Sequence, residues 1–269
     1  MKDKILMCEP KFYGVEYTIN PWMNNNINNV DKSLAQEQWE SLYNKISEVA
    51  DVELLPPAPY LPDMVFTANA GAFFNDTFFV SNFKYDERKP EEALFQQWAE
   101  SKSFDVKKPM YYFEGAGDLL YSEIGKVHFM GFSKRTQVDA MQDLLLGATQ
   151  LIYPLELVTD EFYHLDTCFC PLNKGVVMMY RKAIDVGSWS YIDFLYEGRV
   201  INVSKEDALL FACNAVNIGD EVILPSGISK DLRSKLEWYG YTVHEINLSE
   251  FIKAGGAAKC LTLKISLGN

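Results

Sequence analysis

Five short polar-ended segments recur along this chain at a nearly constant step, and that recurrence limits what it can fold into. They are FTANAG at Phe66, FEGAGD at Phe113, YHLDT at Tyr163, ACNAVNIGD at Ala212 and AAKCLTL at Ala257. With Asn69, Glu114, His164, Asn214 and Cys260 as markers, the steps are 45, 50, 50 and 46 residues. A period in this range signals a repeat architecture in which each unit is one supersecondary element. Three of the markers are a carboxylate, an imidazole and a thiol. They can meet only if the repeats close around a common axis.

The units read alike. An apolar strand leads to the polar motif, a turn and a second strand, and often a helix follows. The turn Asn75-Asp76 precedes a strand Thr77 to Phe83, and Pro90 opens a helix burying Leu94, Phe95 and Trp98. Further helices are expected over Val138 to Leu146, around Trp189, Ile192 and Phe194-Leu195, and over Lys230 to Tyr239. The last unit is split: a capped turn at Asn247 to Phe251, with Glu250 in capping-box spacing, leads to a strand Lys259 to Ile265. That strand is expected to meet the N-terminal strand Ile5 to Cys8. A helix over Asp31 to Ala50 presents Trp39, Leu42, Ile46 and Val49 on one face. The segment Tyr13 to Asn29, rich in Asn, reads as a long loop, and long loops in compact domains are often binding lids. No Gly/Ser/Pro linker interrupts the chain, so 1–269 reads as one domain.

The formal net charge is −12. No basic stripe is present to neutralise phosphates, so a nucleic-acid partner is not expected. No apolar run approaches the roughly 20 residues of a membrane span. The opening MKDKILMCEP reads as a first strand and not as a signal peptide. Five cysteines, an odd number without a secretory signal, suit a reducing cytoplasm with free thiols. Cys168 and Cys170 form C-x-C with no matching second ligand pair, so no metal is expected there.

Cys260 follows a glycine-rich turn and can project from a strand tip. Taken alone, a cysteine reads as an inert buried hydrophobe and His164 as a structural histidine. Glu114, after three aromatics, needs a partner or a function. Their common phase favours a joint role. A thiolate attacks an electrophilic carbon, His164 moves the proton, and carboxylates such as Glu114 and Asp166 accept guanidinium N–H groups.

Together LPDMVFTAN, FEGAGD, GFSKRT at Gly131, HLDT and GGAAKCLTL at Gly255 resemble the guanidine-modifying superfamily known as penteins. That superfamily includes arginine deiminases, dimethylargininases, amidinotransferases and arginine dihydrolases. The resemblance covers nearly the whole chain. It implies an α/β fold, a five-bladed pseudo-symmetric propeller of ββαβ-like repeats around a substrate channel. It also implies Cys260 as the nucleophile that forms a covalent adduct, His164 as acid/base, and Glu114 and Asp166 on the guanidinium nitrogens. Asp63 and Phe66, in the first motif, join the substrate-binding set.

Arg135, in GFSKRT, is the expected grip on the substrate α-carboxylate. Arg88, in NFKYDER, reads equally as a second such grip or as a solvated surface arginine. Asn69 stands where deiminases and dimethylargininases typically place an aspartate, and Asn20 in YTINPWM adds another amide. Both motifs resemble the arginine dihydrolases, which convert arginine to ornithine, ammonia and carbon dioxide. A plain turn-capping role for Asn69 stays open. So do a one-step hydrolase giving citrulline, an amidinotransferase and an inactive binding protein. The chemistry requires no cofactor or metal. The expected partner is a small molecule, arginine or a close analogue, and a homo-oligomer is an expectation from the family alone.

Overall fold

The computed structural model describes residues 2–74, 77–146 and 150–265; the turn Asn75-Asp76 lies outside them. The chain opens with strand β1 (Lys4–Cys8), helix α1 (Lys32–Val49) and strand β2 (Asp51–Leu55), which returns parallel to β1. A parallel return needs a crossover, and α1 supplies it. Asp31 caps the helix by accepting from the N–H groups of Ser33 and Leu34, a strong N-cap arrangement. Trp39, Leu42 and Ile46 are buried on its inner face, as the spacing predicts, while Val49 is half-buried.

Four further units repeat one wiring. The first has β3 (Gly71–Phe74), β4 (Thr77–Val80), α2 (Lys89–Ser101) and β5 (Asp105–Lys107). The second has β6 (Leu119–Ser122), β7 (Val127–Phe132), α3 (Ala140–Leu145) and β8 (Leu151–Glu156). In the third come β9 (Phe169–Leu172), β10 (Val176–Met179), α4 (Val186–Leu195) and β11 (Val200–Asn202). A short helix α5 (Lys205–Leu209), which the sequence did not signal, precedes the fourth: β12 (Val216–Ile218), β13 (Glu221–Pro225), α6 (Lys230–Trp238) and β14 (Thr242–Ile246). In each, an antiparallel pair is followed by a helical crossover and a strand parallel to the second.

The fifth unit joins the two ends of the chain. After α7 (Ser249–Ile252), strand β15 (Leu263–Ile265) pairs antiparallel with β1. The sheet β15-β1-β2 therefore has the same order as the others. Among the described residues the result is an α/β arrangement of five three-stranded sheets. The middle strands β1, β10 and β13 are apolar along most of their length, as strands covered on both faces must be.

Two local expectations fail. The final strand begins at Leu263 and not Lys259, so Cys260 lies in a turn ahead of it. Asn247 does accept from the Ser249 N–H, but Glu250 turns away from a capping box. Its carboxylate instead accepts from the Asp31 N–H and the Lys253 ammonium, tying α7 to the start of α1. Phe194, in α4, is 80 % exposed.

Candidate active site

All five markers sit just ahead of the first strand of a unit. Asn69, Glu114, His164, Asn214 and Cys260 precede β3, β6, β9, β12 and β15, and the short turns carrying the first three touch one another. All five side chains are buried, Glu114 and Asn214 completely. FEGAGD needs its glycines for this approach. Gly115 adopts φ +62°, and a Cβ on Gly117 would stand 2.4 Å from Asn69 Nδ2, a position only glycine allows.

His164 Nε2 lies 2.7 Å from Glu114 Oε2, which also accepts from Arg135 Nη1 at 2.8 Å. The other Glu114 oxygen accepts from the Lys84 backbone N–H. Both oxygens are thus engaged. Burial pushes the Glu114 carboxyl up, but Arg135 and the imidazole outweigh it and hold the group well below the usual range. Asp118, which sequence reasoning left unassigned, fixes this arrangement. Its Oδ1 accepts from the Leu165 N–H and its Oδ2 from Thr136 Oγ1, which in turn accepts from the Glu114 N–H. One carboxylate so ties three motifs together.

Asn214 grips the thiol. Its Oδ1 accepts from the backbone N–H groups of Ala257 and Cys260, while its Nδ2 donates to Cys260 Sγ at 3.1 Å. The thiol donates to Asp166 Oδ2 at 3.4 Å. Burial and the neighbouring Asp166 push Cys260 well above its ordinary value, against Asn214 and the Ala257 N–H. Burial lifts Asp166 to about 7. Among the described residues its Oδ1 has no hydrogen-bond partner.

A small cavity of about 10 Å³ is lined by Cys260, Asn69, Asp63, Phe66, Arg88 and Arg135, and closed by Ile19, Asn20 and Met23 of the long loop. It shares Ile19, Asn20, Arg135 and Tyr163 with a wider vestibule of about 420 Å³. Glu114, His164 and Asp166 stand behind this lining. The carboxylate on the wall is Asp63, whose Oδ2 accepts from Tyr17 while Oδ1 has no partner among the described residues. Burial raises its pKa. Asn20 caps the turn Pro21–Met23 and donates to the Ala254 carbonyl, which seats the loop over the cavity.

The guanidinium carbon of Arg135 lies 4.7 and 4.6 Å from the ring centroids of Tyr85 and Tyr163. Contact of this kind with two rings suits a guanidinium better than an ammonium. Arg88 is 3 % exposed, so the surface reading fails. It makes a two-pronged contact with Glu91 and donates to Asn69 Oδ1 at 2.9 Å and to the Asp63 carbonyl. Four bonds leave little of it for a carboxylate. Asn69 does not merely cap a turn. Its side chain bridges Arg88 and His164, with Nδ2 3.4 Å from His164 Nδ1.

The family profile described as N,N dimethylarginine dimethylhydrolase, eukaryotic, matches residues 16–267. A bifunctional arginine dihydrolase/ornithine cyclodeaminase, ArgZ of Synechocystis sp., is 43 % identical over 98 % of this chain and 38 % of its own length. The N(G),N(G)-dimethylarginine dimethylaminohydrolase of Mycobacterium tuberculosis is 34 % identical over 96 % and 84 %. The crystal structure of the N-terminal domain of ArgZ bound to product superimposes with a TM-score of 0.96 at 42 % identity, covering 99 % of this chain and 98 % of that one. An asparagine-to-serine form of that domain, covalently bonded to a reaction intermediate, gives 0.95 at the same identity, covering 98 % of each chain. The chain thus spans about 38 % of the length of the bifunctional relative. It belongs to the N,N dimethylarginine dimethylhydrolase family, within the guanidine-modifying penteins.

Proposed function

We propose that this chain is an arginine dihydrolase, with its five units arranged as the blades of a single-domain propeller around the site. Asp63, on the cavity wall, and Asp166, beside the thiol, accept guanidinium N–H groups, and Arg135 takes the α-carboxylate. The Cys260 thiol passes its proton to His164 as its sulfur attacks the guanidinium carbon. His164 gives a proton to the departing nitrogen, which leaves as ammonia, then takes one from the water that displaces sulfur. The bound product is citrulline. A second round on its ureido carbon releases another ammonia, then ornithine and carbon dioxide. In sum, arginine and two waters give ornithine, two ammonia and carbon dioxide. The loop carrying Ile19, Asn20 and Met23 lines the cavity and, through Ile19 and Asn20, the vestibule from which arginine enters.

The observation that carries the two-step reading is the Asn69 carboxamide. Its oxygen is taken by Arg88, so what it offers the cavity is a neutral N–H donor. A ureido oxygen needs such a donor and is repelled by a carboxylate, so citrulline stays for the second attack. The Synechocystis relative supports the same reading, because it is named an arginine dihydrolase. A one-step hydrolase giving citrulline is the second reading, favoured by the family profile and the mycobacterial relative. Ammonia counted per arginine consumed separates them. Two with ornithine supports the dihydrolase, one with citrulline supports one-step hydrolysis of arginine, and none overturns both unless dimethylarginine gives citrulline and dimethylamine instead.

A further inference from the structure

We infer that Glu91 is a positioning residue for this site: through Arg88 it fixes which way the Asn69 carboxamide faces, and thereby which nitrogen of His164 carries the proton. Glu91 lies in the first turn of α2, fully buried, three residues after Arg88. Its oxygens accept from Arg88 Nε at 3.0 Å and Nη2 at 2.8 Å. Such a fork-to-fork contact sets the plane of the guanidinium and turns the Nη1 edge toward Asn69.

Each later assignment then follows from donor and acceptor chemistry. A guanidinium has only donors, so the amide group it meets is the oxygen, which settles an orientation that atom positions alone do not. The amide NH2 is therefore the group beside His164 Nδ1. That NH2 only donates, so Nδ1 keeps its lone pair and the ring proton sits on Nε2, facing Glu114 Oε2. A flipped amide would present oxygen to Nδ1. With Glu114 on the other nitrogen, the ring would then hold both protons and could not accept one from water.

Other charges around the imidazole are Glu114 and Asp118 from the second unit, Arg135 beyond Glu114, Asp166 two residues along, and Arg88 and Asp63 beyond Asn69. All keep their charge in a Glu91→Gln variant. Gln offers Arg88 one acceptor and one clashing donor, so the guanidinium turns and the amide loses its fixed orientation.

The test compares the wild type with Glu91→Gln, and with Arg88→Met/Glu91→Met, which removes both buried charges at similar volume. The expected result is an acid limb of kcat/KM displaced upward by about one pH unit, with several-fold more citrulline per ornithine. The product readout rests on the two-step reading and the acid limb does not. A wild type releasing one ammonia per arginine overturns that reading, and the displaced limb still supports Glu91. A limb left in place in both variants, with kcat/KM merely lowered, overturns the positioning role whatever the product.

Discussion

Asn214 holds Cys260 at two points, accepting from its backbone N–H and donating to its sulfur, both at 3.1 Å. The amide therefore fixes the turn that presents the thiol and stabilises the thiolate. A hydrogen bond to a charged group contributes about 1.5–3 kcal/mol. Asn214→Ala is expected to lower kcat/KM by roughly tenfold to a hundredfold, with the alkaline rise of the rate moved to higher pH. Steady-state kinetics across pH measure both.

The thiol of the empty site is protonated at neutral pH, because burial and Asp166 raise it. Alkylation of Cys260 by iodoacetamide should be slow at pH 7 and climb with pH through the alkaline range. Asp166→Asn removes the adjacent carboxylate, so its alkylation should begin at lower pH. A Cys260→Ser control reports on the other four cysteines, all of which are buried.

Asn69→Asp places a carboxylate against the imidazole and the ureido site. The expected outcome is a shift from ornithine to citrulline with ammonia falling toward one per arginine. Amino-acid analysis of the reaction mixture reads it directly. An unchanged product ratio would remove Asn69 from the account of the second step.

Arg135→Lys keeps the charge but loses the contact with the Tyr85 and Tyr163 rings and the separate bonds from Nη1 to Glu114 and from Nη2 to the Ile19 carbonyl. KM for arginine should rise at least tenfold. The decarboxylated analogue, agmatine, has nothing for Arg135 to grip, so the preference for arginine over agmatine should shrink in the variant.

His128 supplies an acid-sensitive element away from the site. It is buried between the rings of Phe74 and Tyr121, its Nδ1 without a partner, and burial lowers its pKa to about 4. The unfolded chain, near 6.5, binds the proton first. The stability from the neutral ring is whole above about pH 6.5 and is lost as pH falls toward 4, by about 3 kcal/mol in all. Denaturant unfolding of His128→Phe against wild type should show their difference moving toward the variant across that window.

Much of the fold was legible in the sequence because the repeat markers share one structural position. The helix crossovers and the closing pair β15-β1 followed from apolar spacing and the split last unit. The contacts that decide chemistry were less legible. NFKYDER is a charged run like any solvated surface, and nothing in it shows that Arg88 meets Asn69, 19 residues away. Its i, i+3 spacing to Glu91 was the one available signal. Asn214 carried the repeat phase, yet its hold on a sulfur 46 residues on is purely tertiary. Glu114 was expected on the substrate and instead has both oxygens engaged with His164, Arg135 and a backbone N–H.

The central claim is that the sulfur of Cys260 bonds to the substrate's guanidine carbon. Acid-quenching the protein during turnover of arginine labelled with carbon-13 at that carbon, then mapping peptides by mass, tests it directly. The account predicts a labelled adduct on the peptide holding Cys260, absent in Cys260→Ser. Sustained arginine hydrolysis by Cys260→Ser, or a labelled adduct on any other residue, would contradict it.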